Sequence, residues 1–115
     1  MQKFVIDNGN NSDTVNAWYR VCQEKQIPYI VVEKRTKYAT VRWDYISFSS
    51  DKDQHIGDNQ DNYREDLKAI FNKYSNAKSK FRIDGGGLIY FFDIEVSKAS
   101  AMAEEFYDIA EKISA

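Results

Sequence analysis

The sequence predicts an α+β fold, a two-layer sandwich in which three helices cover one face of a mainly antiparallel sheet of about five strands. Short runs of β-branched and aromatic residues recur five times along the chain. Three other stretches repeat apolar residues at helical spacing. The resulting order, βαββαββα, begins with the split-βαβ pattern of ferredoxin-like folds. At 115 residues the chain has the length of one domain, 1–115, and we predict a ferredoxin-like variant.

The first half of the chain predicts three strands and one helix. Apolar residues at helical spacing, among them Trp18 and Cys22, form one stripe, and Pro28 ends this helix. The β-branched segment that follows is typical of a strand buried on both faces. A basic turn then connects it to a longer strand, so the two form a hairpin. The elements are a strand at 3–7, a helix at 12–25 and strands at 29–33 and 38–48.

The second half predicts a polar loop, two helices and a second hairpin. Residues 49–60 are polar, and we expect them to form a loop. A helical period follows to about residue 75, and strands are expected at 80–84 and 88–95. Gly85–Gly86 fits a two-residue hairpin turn, which would place Phe81 opposite Tyr90. The last helix starts near residue 97, and its inward stripe includes Met102 and Phe106.

Composition narrows the classes of function. A net charge of −2 and a pI of about 5.4 argue against a strong general affinity for polyanions. Cys22 is the only cysteine, which excludes an intramolecular disulfide and a cysteine-rich zinc site. There is no apolar segment of membrane-spanning length and no signal-like segment at the start. We therefore expect a cytoplasmic protein that does not bind membranes.

The chain contains 17 aromatic residues, 15 % of the total, which is more than a small core readily buries. We therefore expect several rings on the surface. The strand at 38–48 is the main candidate, because Tyr38, Arg42 and Phe48 share the face opposite to Val41 and Trp43. A face that holds both aromatics and arginine is typical of an interface. The candidates for exposed rings are Tyr38, Tyr45, Phe48, Tyr90 and Phe91.

One segment of this strand resembles the RNA-recognition motif. Residues 37–43, Lys-Tyr-Ala-Thr-Val-Arg-Trp, are similar to that family's strand signature K/R-G-F/Y-G/A-F-V-x-F/Y. Lys37 stands at the family's Gly and Thr40 at its central aromatic, and the resemblance covers roughly residues 3–84. Phe4, in a loose version of the family's partner motif, would stack a base. The resemblance implies binding of single-stranded RNA or DNA on the sheet face.

The sequence gives little sign of catalysis or metal binding. After Asp51 and Asp53 the spacing departs from a calcium loop, and His55 has no second ligand at metal spacing. Asp7 and Asp84 stand at strand ends, which leaves a metal-dependent nuclease as a weaker alternative. No nucleophile is paired with a base in the sequence. We expect no enzyme activity, no cofactor and no metal.

The first choice is a small non-enzymatic protein that binds another protein, or a second copy of itself, as an inhibitor, an antitoxin-like protein or an adaptor. The predicted contacts combine an aromatic and basic sheet face with an acidic loop. The alternative is a single-stranded RNA- or DNA-binding domain with RNA-recognition-motif-like topology. The partner-binding candidates are Tyr38, Arg42, Phe48, Lys34, Arg35, Lys37, Asp51, Asp53 and His55.

Overall fold

The computed structural model describes residues 1–84 and 88–115 and contains one five-stranded sheet. The strands are β1 (Val5–Asp7), β2 (Tyr29–Lys34), β3 (Tyr38–Asp44), β4 (Lys80–Asp84) and β5 (Leu88–Glu95). The helices are α1 (Ser12–Lys25), α2 (Ser50–Asn59), α3 (Arg64–Tyr74) and α4 (Val96–Ser114), and a 3₁₀ turn at Gln60–Tyr63 joins α2 to α3.

The spatial strand order is β1-β2-β3-β5-β4, and only the β1–β2 pair is parallel. The predicted α+β class and the mainly antiparallel five-stranded sheet are confirmed, and the predicted element order matches in outline. The arrangement differs from a split βαβ unit in one respect, because no strand lies between β1 and β2. In this strand order β1 and β4 are the two edge strands of the sheet.

The main core lies between the sheet and the helices α2, α3 and α4. Alternate strand residues such as Ile30, Val41 and Phe91 point to this side and pack against Phe106 and other residues of α4. The other side of β2 carries Val31, which is also fully buried. β2 is thus buried on both faces, as its composition predicts.

α1 covers the opposite face of the sheet from α4. Its buried residues Trp18 and Cys22 pack against Val5 of β1 and against Tyr29 and Val31 of β2. Three helices share one face, as predicted, but they are α2, α3 and α4. The first helix, α1, was expected on that face and lies on the other one. α1 forms a partial third layer, and it lies over the β1–β2 side of the sheet only.

Residues 50–59 form the helix α2, so the prediction of a loop at 49–60 is wrong. The helix starts with a Ser49 N-cap, whose side chain accepts a hydrogen bond from the Lys52 amide. Asp51 and Asp53 lie in the first turn, where their negative charges interact favourably with the helix dipole. Ile56 is the only buried residue of α2, which explains why no helical period is visible in this segment.

The β4–β5 register differs by one residue from the expected one. Phe81 lies opposite Phe91, not Tyr90, and Asp84 lies opposite Leu88. Three residues of the sequence thus lie between the paired residues Asp84 and Leu88, whereas a two-residue turn would place only two residues between the paired ends. The turn predicted at Gly85–Gly86 lies outside the described residues. In the observed register Phe81 and Phe91 stack on the helix side, with ring centroids 5.0 Å apart.

A bulge near the end of β5 changes which of its residues face the core. Asp93 has a φ of +57°, and the pairing with β3 shifts between Ala39 and Val41. As a result Phe91 and Ile94, three residues apart, are both buried on the helix side. Phe92, which precedes the bulge, lies on the other face of the sheet next to Tyr90, as the normal alternation of a strand requires.

Candidate functional site

Half of one sheet face carries no helix among the described residues. α1 packs over β1 and β2, and the remaining helices pack on the opposite side. The uncovered part consists of the outward residues of β3, β5 and β4. We call it the open face and define it by Tyr38, Arg42, Tyr90, Phe92, Lys80 and Arg82.

The centre of the open face is a stack of two rings and a guanidinium group. Tyr90 and Phe92 follow each other on the same side of β5, with ring centroids 5.4 Å apart and planes at 11°. The Arg82 guanidinium carbon lies 4.9 Å from the Tyr90 centroid and 5.3 Å from that of Phe92. Such cation–π contacts hold the side chains in one arrangement and give a flat, preformed surface.

Arg42 lies at the border of the open face, next to the part of the sheet that α1 covers. Its Nε donates to Glu33 over 2.6 Å, and its Nη1 pairs with Asp44. Burial alone would lower the pKa of Arg42, but the hydrogen bonds and charges of Glu33 and Asp44 outweigh it, so the pKa lies above its usual value. Arg42 is therefore committed to pairs within the chain, and its side chain is only 16 % exposed.

The two ends of the open face differ in charge. At one end the ammonium groups of Lys37 and Lys78 lie 5.6 Å and 5.3 Å from the Tyr38 ring centroid, and Lys80 is exposed nearby. We call Lys37, Lys78 and Lys80 the basic end. None of the three has an ion pair among the residues described. The opposite end, where β3 and β4 finish, carries Asp44 and Asp84.

The structure divides the predicted partner-binding residues between the two ends of the sheet. Lys34, Arg35, Lys37 and Tyr38 lie at the β2–β3 turn. Phe48 and the acidic residues follow the far end of β3, about 20 Å away for a strand of this length. Of the predicted set, only Tyr38 and Arg42 belong to the open face, with Lys37 at its basic end.

The predicted acidic loop is part of a helix that packs against α4. Asp53 accepts hydrogen bonds from the Ser47 hydroxyl and the Phe48 amide, both over 3.1 Å, so it fixes the chain between β3 and α2. His55 Nε2 lies 2.7 Å from the backbone oxygen of Ala115. Asp51 is exposed on the first turn. Asp53 and His55 therefore have structural contacts within the chain.

The aromatic excess is accommodated mainly by partial burial. Of the 17 rings, six are buried, ten are half-buried, and Tyr45 alone is largely exposed, at 52 %. Phe91 is fully buried, so its expected exposure is wrong. Sequence reasoning missed Phe92, which faces outward by the normal alternation of β5, two residues after Tyr90. The alternation itself was the available signal, because Tyr90 and Phe92 lie two residues apart and both precede the bulge at Asp93.

The segment that resembles the RNA-recognition signature has one face on each side of the sheet. Tyr38 and Thr40 point to the open face, whereas Val41 and Trp43 are buried on the helix side. Phe4 packs against the main core on the helix side and is not part of the open face. Tyr90 and Phe92 of the neighbouring strand supply the remaining rings of this surface.

The two carboxylates considered for a nuclease lie at opposite corners of the sheet. Asp7 ends β1 at one edge and Asp84 ends β4 at the other, and the two strands run in opposite directions. They do not form one metal site. In the described part of the chain, no three residues among His, Cys, Asp and Glu are grouped to hold a metal ion.

Comparison with protein-family models, with curated proteins and with solved structures found no match to this chain. The open face is therefore the feature from which a function can be inferred. Among the residues described, no helix is both long and apolar enough to cross a membrane.

Proposed function

We propose that this protein binds another protein through its open face. The observation that carries the proposal is the preformed stack of Arg82 on Tyr90 and Phe92, on a part of the sheet that no described helix covers. Aromatic rings and arginines are the side chains that contribute most to protein interfaces. Rings that are already fixed by packing lose little conformational entropy when a partner binds.

The balance of charge favours a protein over a nucleic acid. Arg42 is paired with Glu33 and Asp44, and Arg82 lies 3.3 Å from Asp84. A surface that binds a phosphate backbone needs a surplus of cations. Among the described residues of the open face, the cations without an ion pair are confined to the basic end, so the partner that fits presents carboxylates there and apolar or aromatic groups over Tyr90.

In this role the protein acts by occluding a surface of its partner, as an inhibitor, an antitoxin-like protein or an adaptor does. The rings anchor the contact, and Lys37, Lys78 and Lys80 orient it. Because the partner is defined by chemistry only, its identity has to come from affinity capture in the native cell extract. The captured protein is then purified, and its dissociation constant is measured.

The test compares the wild type with a Tyr38→Ala/Tyr90→Ala variant and with a Lys68→Ala control on the exposed side of α3. We expect the face variant to weaken binding about 30-fold or more and the control to leave it unchanged. Equal affinity of the folded face variant would reject this site. Titration with a mixed-sequence oligonucleotide tests the alternative of a nucleic-acid partner, which would be favoured by binding that weakens steeply as the salt concentration rises.

A further inference from the structure

We infer that β4 pairs with β4 of a second copy of this chain, so that two molecules form one continuous ten-stranded sheet. This inference goes beyond the proposed function, because it uses the edge of the sheet and not its open face. β4 has a strand neighbour on one side only among the described residues. An edge strand presents unpaired backbone N–H and C=O groups, which bind another extended strand. The other edge strand, β1, has three residues against five in β4.

The sequence of β4, Lys80-Phe81-Arg82-Ile83-Asp84, is complementary to itself when two copies run antiparallel. With a two-fold axis at Arg82, Lys80 of each copy lies opposite Asp84 of the other. Phe81 lies opposite Ile83 on the helix side of the sheet. Opposite charges and apolar pairs directly across two strands both stabilise the pairing. A parallel pairing of the same strands would place like charges side by side.

Exposure and side-chain orientation fit this register. Lys80 is exposed and has no ion pair among the described residues, and the Asp84 side chain, which lies 3.3 Å from Arg82, is 39 % exposed. Phe81 and Ile83 are half-buried at the edge of the main core, so a second copy would complete their burial. Two arginines meet at the axis, but the Arg82 guanidinium points away from the edge, over the rings of Tyr90 and Phe92.

A two-fold axis normal to the sheet keeps both open faces on the same side. The dimer would therefore join the two open faces into one larger surface. Lys80 could instead have the opposite role, because a lysine on an edge strand commonly prevents pairing between sheets. Charge reversal distinguishes these two roles of Lys80. If Lys80 prevents pairing, the wild type forms no defined dimer; if it pairs with Asp84 of a second copy, the dimer depends on that charge match.

The test is sedimentation equilibrium of the wild type, of Lys80→Glu, of Asp84→Lys and of an equimolar mixture of the two variants. We expect the wild type to approach twice its 13.4 kDa chain mass as concentration rises. Each single variant places like charges opposite each other twice and should raise the dissociation constant about tenfold or more. In the mixed dimer the introduced glutamate faces the introduced lysine, and the unchanged Lys80 of one copy faces the unchanged Asp84 of the other. Mixing the variants should therefore restore association.

A wild type that stays monomeric up to millimolar concentration would overturn the inference. So would a dimer whose dissociation constant is unchanged by both variants, since it would use another surface. Circular dichroism checks that each variant is folded, and Lys80→Glu removes no ion pair within the described part of the chain. Partner binding through the open face is measured separately with the wild type at concentrations below the dimer dissociation constant, so the failure of one proposal leaves the other open to its own test.

Discussion

Phe91 and Phe92 are consecutive in β5 and lie on opposite faces of the sheet. The Phe91 ring is fully buried between Phe81 and Phe106, with centroids 5.0 Å and 4.9 Å away. The Phe92 ring is half-buried on the open face beside Tyr90. One of the two neighbours therefore belongs to the core and the other to the candidate interface.

Replacement of these two rings should have unequal effects on stability. We expect Phe91→Ala to lower the free energy of unfolding by about 3–5 kcal/mol, because it leaves a cavity in the main core. Phe92→Ala should lower the free energy of unfolding by about 1 kcal/mol only, since this ring is half-exposed and contributes mainly its contacts with Tyr90 and Arg82. Urea unfolding of both variants provides the measurement. Equal losses would show that the assigned faces of β5 are incorrect.

Much of the fold was predictable because apolar residues repeat with the period of each element. The four buried residues of β2 and the alternating burial of β3 are visible in the sequence. α2 was not predictable in this way, since a helix held by a cap and by Ile56 alone leaves no apolar period. The covering of the β1–β2 side by α1 depends on tertiary packing, which local pattern does not specify.

The candidate site was predictable only in part. Tyr38 and Arg42 were placed correctly on the outward side of β3, because simple alternation holds as far as Asp44. Beyond Asp44 the strand ends, so Ile46 and Phe48 no longer follow the alternation. On β5 the alternation holds as far as Phe92, and the bulge at Asp93 then interrupts the period, so that Ile94 faces the helices as Phe91 does.

Arg42 should stabilise the fold more than the neighbouring Arg35. Both contact Glu33, but the Arg42 side chain is 16 % exposed and that of Arg35 is 64 % exposed. Arg42→Ala would leave Asp44 without this partner and Glu33 with Arg35 alone, and we expect a loss of about 1–2 kcal/mol in urea unfolding. Arg35→Ala is the matched control, with an expected change within about 0.5 kcal/mol. A similar loss in both variants would contradict the central position of Arg42.

Cys22 should be unreactive in the folded protein. The thiol is fully buried between α1 and the sheet, and burial raises its pKa to about 12. Since the thiolate is the reactive form, we expect a thiol reagent at neutral pH to label Cys22 only when the structure opens. Labelling is followed with and without denaturant, and the unfolded chain gives the reference rate. A native rate close to that reference would mean that α1 does not cover this side chain.

Glu105 should make the stability of the protein sensitive to acid. The carboxylate accepts a hydrogen bond from the Tyr74 hydroxyl and pairs with Lys73 over 3.0 Å, and these contacts lower its pKa from 4.5. The unfolded chain thus takes up this proton at a higher pH than the folded one. The stabilisation is present above pH 4.5 and is lost as the pH falls through the lowered pKa.

Thermal unfolding between neutral pH and about pH 3 tests this dependence. We expect Glu105→Gln to have a lower melting temperature than the wild type at neutral pH and a smaller further decrease in acid. Glu104→Gln is the control, because Glu104 is the adjacent residue and its removal leaves the contacts of Glu105 with Tyr74 and Lys73 in place. An identical acid profile for Glu105→Gln and the wild type would show that this link between α3 and α4 does not contribute to stability.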